Sequence, residues 1–258
     1  MSKVVVIDPR RAGPAIKADE WVRVRPGTDG ALALGFANIA ISEGWYDEAF
    51  LKYETNAPFL VRSDTNMLLT EADVRADGDA DRFMLLNSSG DAVSVESEGA
   101  TPGAQTIVLR GSSTIHGLHG DIACATVFER YAQRCAEYPA SRVETITGVG
   151  SDQLHSVANM LWANRPVSYY AWSGVGQHTN ATQTDRGISC LYTLMGSLGS
   201  AGGNVQFPGV SVNDVSGREF VGESQAAETL GLAARPLGPA RDGWCTSSDL
   251  YGAILDEQ

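Results

Sequence analysis

Basic residues are scarce: 19 Lys and Arg stand against 31 Asp and Glu, a net charge of −12. Such a surface offers no general attraction to nucleic acid or anionic lipid, although a local basic pocket can still hold a phosphate. Long apolar runs are missing too. None reaches the roughly 18–20 residues of a membrane span, so no direct membrane span is expected. The chain passes from MSK straight into a β-like run, and no signal peptide is expected. Cysteine is sparse: Cys124, Cys135, Cys190 and Cys245 are scattered and form no C-x-x-C pair. They are expected to be reduced and mostly packed rather than disulfides or metal ligands. The expected setting is cytoplasmic, unless a longer parent carries an export signal upstream.

What is present is a globular core. The 258 residues are 43% hydrophobic, enough for one large α/β domain or two smaller ones. Residues 3–8 form a continuously apolar strand ending in Asp8, as in a parallel strand buried on both faces. Residues 21–24 form a second short strand, and Pro26 and Gly27 break it. Thr28 or Asp29 can N-cap a helix over 30–42 that is apolar nearly all round, with Gly44 as its stop. A short polar helix lies within 46–57. Residues 58–120 read as a β-rich excursion built from FLVRS, RFMLLN, AVSVE and TIVLRG, with turns at SSGD and TPGA. Helices are predicted over 121–137, from a capping-box pattern SRVE at 141–144, over 151–164, and from about Thr182. Residues 166–173 read as a strand, and 204–258 as loop-rich. Strand–helix alternation gives an α/β class with a Rossmann-like parallel sheet, 1–203 forming the main domain and 204–258 the start of a neighbour.

Ligands in open parallel sheets bind beyond strand carboxyl ends, and three such ends carry suitable chemistry. Asp8, Pro9, Arg10 and Arg11 follow the first strand: the acid suits ribose hydroxyls and the arginines a diphosphate, or the stretch is a solvated turn. Pro26, Gly27, Thr28 and Asp29 follow the second. A carboxylate there can take N1–H and the exocyclic amine of guanine, a donor pair adenine lacks, or the residues simply cap a helix. Gly174, Gly176 and Gln177 open a glycine-and-polar run (SGVGQHTN) that lets a ligand approach the backbone, or it is a tight turn. His116 and His119 form an H-x-x-H without a third ligand and read as ordinary histidines at a β-turn. His178 is either near a ligand or simply packed. Trp172 reads as core or pocket wall. Asp73, Asp77, Asp79 and Asp81 are too irregular for a calcium loop.

Together the order VVVIDPRRAGPAIKAD, RPGTDGALALGFANIAISEGWYDEAFL, ITGVGSDQLHSVANM and GVGQHTNATQTDRGISCLYTLMGSLGSAGGNV resembles the molybdopterin oxidoreductases of the dimethyl sulfoxide reductase superfamily. The resemblance covers about 1–57 and 120–210. DTNMLLTEADV and GGNVQFPGV are most similar to acetylene hydratase-like and related anaerobic dehydrogenase or hydroxylase subunits, which implies a parent that hydrates rather than oxidises as one alternative; a stand-alone nucleotide-binding or interaction module is another. By resemblance, Ile7, Asp8, Pro9 and Arg10 match a contact to a molybdopterin guanine dinucleotide, Gly27, Thr28 and Asp29 the loop whose acid reads guanine, and Gly174, Gly176 and Gln177 the loop near the pterin. The chain departs from the pattern at Asn180-Ala181, where relatives often have Asn-Gly, and at GSLGSAGGNV, which puts a contact at Ser197 in doubt. No residue matches the family's Ser, Cys or selenocysteine metal ligand. The resemblance therefore implies an internal piece of a longer molybdenum or tungsten enzyme, inactive alone, whose partners are the rest of its polypeptide and an iron–sulfur electron-transfer subunit.

Overall fold

In the computed structural model of the chain, residues 2–94, 107–206, 209, 217 and 220–256 are described. The TPGA turn, the end of AVSVE and Thr106 lie outside them. The chain divides into two units, Met1–Gln206 and Phe207–Gln258.

The first unit is mixed α/β, built around a helix with no polar face. That helix, α1 (Asp29–Ser42), buries Leu32, Ala33, Phe36, Ala37, Ile39, Ala40 and Ile41. Full burial of a side chain such as Leu32 or Phe36 contributes about 1.5–3 kcal/mol. On one side α1 meets α5 (Ala140–Thr147) and α6 (Ser151–Ala163) through Val143, Leu154 and Val157, together with Val22 and Val24. On another it meets α4 (Val127–Ala136) through Phe128, Ala132 and Cys135. It also packs along α8 (Ala181–Leu194). Gly35 makes the α5 approach possible, since a Cβ there would lie 2.7 Å from a Val143 methyl. Gly44, at φ +71°, follows the helix as expected.

Against this core lies a parallel pair, β1 (Val5–Ile7) and β2 (Glu20–Val22), with Val6 opposite Trp21. The parallel sheet is thus two strands where more were expected. Residues 166–172 are not a strand of it. They carry no ladder, and side chains hold them instead: the Val167 amide donates to Ser197 Oγ (2.9 Å) and the Tyr169 amide to Asn204 Oδ1 (2.7 Å). Trp172 is 82% exposed, not core.

The excursion is β-rich, as expected. After the short helix α2 (Glu48–Tyr53), β3 (Leu60–Arg62) pairs antiparallel with β7 (Gly120–Thr126), and β7 with β6 (Ser112–Gly117). The short α3 (Glu71–Val74) precedes a second antiparallel pair, β4 (Met84–Leu86) and β5 (Ala92–Ser94). The described part of TIVLRG makes only an isolated bridge at Ile107. The helix predicted from 121 begins instead at Val127. Residues 120–126 continue a hairpin, and Thr126 Oγ1 accepts the Glu129 amide (3.1 Å), a T-x-x-E start that sets the boundary. The SRVE capping box does not form either. Pro139 is the N-cap of α5, and Glu144 instead accepts the Ser151 amide and hydroxyl at the head of α6. Cys124 and Cys135 are buried, but Cys190 and Cys245 are exposed; all four are free. His116 pairs with Asp121 across the hairpin, and no group of three or more possible metal ligands occurs among the described residues. None of the described helices is long and apolar enough to cross a membrane.

In the second unit α9 (Glu223–Ala227) and α10 (Ser247–Leu255) are short helices. Thr246 Oγ1 accepts the Asp249 amide at the head of α10, and Arg235 pairs with Asp249. The stretch predicted as loop-rich therefore carries some helix.

Two outcomes follow from this packing. Gly35→Ala gains helix propensity but overpacks Val143, and is expected to lose about 1 kcal/mol net. In denaturant titrations Gly35→Ala and Val143→Ala should be strongly non-additive, whereas additive losses would contradict the close approach. The second outcome concerns acid. Arg62 binds Asp64 through two nitrogens (3.0 and 2.7 Å) and also pairs with Asp73. The Arg62 hydrogen bonds hold Asp64 down at about 2 against an ordinary 3.8. Burial raises Asp73, but the Thr70 amide and hydroxyl and the Arg62 charge outweigh it and leave that carboxyl lowered. A lowered folded-state pKa gives stability that is complete above the unfolded value and is lost as pH falls from about 4 to about 2. Melting temperature should drop across that window, and Asp64→Asn should flatten the drop; an unchanged slope would exclude the pair as its source.

Candidate functional site

Because β1 and β2 are parallel, both carboxyl ends face the same way, and the loops after them start side by side. Asp8 stays in register, its amide donating to Val22 O (3.1 Å). Its Oδ1 accepts the Arg10 amide (2.7 Å), closing a tight turn, while Pro9 and Arg10 are exposed and Ile7 is 43% exposed at the strand end. Trp21 on β2 donates its Nε1–H to Asp8 O (2.9 Å), and Arg11 lies over the Trp21 ring at 5.8 Å. Trp21 therefore fastens this turn, a role nothing in the sequence reading anticipated.

The second loop is tied down at its base. The Arg25 amide donates to Thr147 O (2.9 Å) and its guanidinium to Ile146 O (2.7 Å), so Arg25 binds the last carbonyls of α5. Thr28 is the N-cap of α1 by position, but its hydroxyl donates to Arg25 O (2.7 Å) and caps nothing. Asp29 opens the helix, where its negative charge faces the positive end of the helix dipole. Among the described residues its carboxylate accepts no hydrogen bond, so the capping role weighed for Thr28 and Asp29 is not how these side chains are used.

The third segment comes to meet the second. Residues 173–176 are not an open loop but a single helical turn, α7 (Ser173–Gly176), and Gln177 follows it on the surface. A Cβ on Gly174 or Gly176 would meet nothing within 4 Å, so this backbone is open to approach. His178 packs over Gly27: a Cβ there would lie 3.2 Å from His178 Nδ1, and Gly27 has φ +81°. Asn180 donates to Gly27 O (3.4 Å). Further along, a Cβ on Gly30 would sit 3.1 Å from Thr184 Oγ1, which keeps the starts of α1 and α8 together. Ser197 is wholly buried and holds Val167, a structural duty.

The observed geometry is an α/β frame in which the loop bearing Asp29 meets the His178–Asn180 segment. The family Molybdopterin oxidoreductase matches residues 1–241, and the chain belongs to it. It is 31% identical over 209 residues to dimethylsulfide dehydrogenase subunit alpha of Rhodovulum sulfidophilum, covering 78% of this chain and 22% of that one. It is 30% identical over 277 residues to perchlorate reductase subunit alpha of Dechloromonas aromatica, covering 96% and 29%. Its fold is similar to acetylene hydratase from Pelobacter acetylenicus, at a TM-score of 0.54 and 21% identity, over 90% of this chain and 23% of that chain. The chain thus spans between a fifth and a third of the length of these relatives.

The contact between the two loops can be probed directly. Gly27→Ala places a side chain in the left-handed region and against the His178 ring, and should cost about 1–2 kcal/mol in denaturant unfolding. His178→Ala in the same chain should restore only the steric part. A Gly27→Ala protein as stable as wild type would contradict this packing.

Proposed function

We propose that this chain is the cofactor-binding segment of the catalytic subunit of a molybdenum or tungsten bis(molybdopterin guanine dinucleotide) oxidoreductase. The observation that carries the reading is the meeting of the Gly27–Asp29 loop with the His178–Asn180 segment, some 150 residues away in sequence. Support comes from the donor set. Asp29 offers two carboxylate oxygens free of any capping duty, a match to the paired donors on guanine. Asp8 and the exposed Arg10 offer an acceptor and a cation at the neighbouring strand end, fit for a ribose and a diphosphate. Gly174, Gly176 and Gln177 leave open backbone and one amide side chain for the pterin side. When bound, the pterin-held metal supplies the two-electron chemistry; the residues here bind, orient and select the dinucleotide. The metal ligand is proposed to come from residues outside these 258, so that this chain alone is inactive. The two relatives named above are alpha subunits, which supports a partner subunit for electron transfer, of iron–sulfur type in this reading.

Titrating guanosine and adenosine diphosphates into the 258-residue protein tests the assignment. GDP should bind more tightly than ADP, and Asp29→Ala should lower GDP affinity about tenfold, consistent with about 1.5 kcal/mol for hydrogen bonds to a charged group, while sparing ADP. Equal binding of both nucleotides by wild type and variant would reduce Asp29 to a helix-start residue and remove the basis of the proposal.

A further inference from the structure

In the β3–β7–β6 sheet Ser112 lies opposite Ala125 and Thr114 opposite Ala123. Side chains alternate along a strand, so these four share the face away from Ile115 and Cys124, which belong to a core cluster. Ser63 extends the same floor beyond β3, its amide donating to Ala123 O (2.9 Å). Arg130 and Gln133, about one turn apart on α4, stand beside it. Because the floor is made of small side chains, it leaves an open trough of about 520 Å³. That is within the size of small-molecule sites, roughly 300–1,000 Å³.

The lining has a one-sided chemistry. It offers the hydroxyls of Ser63, Ser112 and Thr114, the Gln133 carboxamide and the Arg130 guanidinium, and among the described residues no acidic side chain lines it. Ser113 at its edge is already used, donating to Gly90 O (2.6 Å). Cys124 brings no charge, since burial pushes its thiol up to about 11. Arg130 is fixed by neutral groups: Nη2 donates to Asn66 Oδ1 (2.7 Å) and Nη1 to Arg62 O (3.5 Å). In the same region Arg62, Arg75, Arg82 and Arg110 each pair with a carboxylate, whereas Arg130 pairs with none among the described residues. In a chain of net charge −12, a positioned guanidinium without an acid is a local exception that favours an anion. We infer that this trough is a second ligand site, sharing no residue with the Asp29 and His178 loops. Its ligand is a small hydroxylated molecule with one oxyanion, the oxyanion on Arg130 and the hydroxyls on Ser63, Ser112, Thr114 and Gln133.

Calorimetric titration of the 258-residue protein tests this, with glucose 6-phosphate, gluconate, glucose and inorganic phosphate as probes. Glucose 6-phosphate or gluconate should bind more tightly than both glucose and phosphate; which of the two binds decides between a phosphate and a carboxylate. Arg130→Gln should weaken that binding about tenfold, as expected for loss of a charge-assisted pair. Ala123→Leu, which fills the floor without touching the charge, should weaken it as well, and circular dichroism should show both variants folded. Neither anion binding to wild type, phosphate alone binding as tightly, or undiminished binding by folded Arg130→Gln would each overturn the site. Binding lost equally in Asp29→Ala would assign the anion to the dinucleotide loop and overturn it too.

Discussion

The burial of α1 on nearly every side is the constraint on which the first unit depends. A helix without a polar face must be covered by several others, and here α4, α5, α6 and α8 cover it. Two of those contacts need glycine. Gly35 admits Val143 of α5, and Gly30 admits Thr184 of α8. Because the head of α1 carries Asp29 and the head of α8 follows His178 and Asn180, covering the helix also brings the two loops together. Core packing and the meeting of the two loops thus share the same contacts.

Much of this was legible in advance. The break at Pro26-Gly27 and the amphipathic 151–164 stretch appear as read, because each rests on local pattern; the run VVVI forms only the short strand Val5–Ile7 and is not buried on both faces, with Val4 46% and Ile7 43% exposed. The failures have a common cause. Residues 166–172 carry strand-like residues, but a strand needs a neighbour, and Ser197 and Asn204 replace it with side-chain hydrogen bonds that no periodicity reveals. Residues 121–126 satisfy a helical pattern, yet the hairpin partner at 112–117 claims them first; the Thr126…Glu129 spacing was the signal that would have placed the boundary.

The site was legible unevenly. Asp29 was singled out from its place after a strand; its side chain makes no capping hydrogen bond, while its charge still suits the start of α1. Asp8 keeps both possibilities on one carboxylate, since one oxygen already closes its own turn. Trp21 was invisible, because it acts by fastening a backbone carbonyl. Trp172, read as core or pocket wall, is 82% exposed.

The Asn204 clamp has an evolutionary consequence. A β-ladder is made of backbone atoms, so nearly any sequence can maintain it. The segment before α7 is held instead by one carboxamide and one hydroxyl, at Asn204 and Ser197. Drift at either position is transmitted to a stretch about 30 residues upstream, so two side chains rather than a backbone ladder fix the course of the segment that leads into α7.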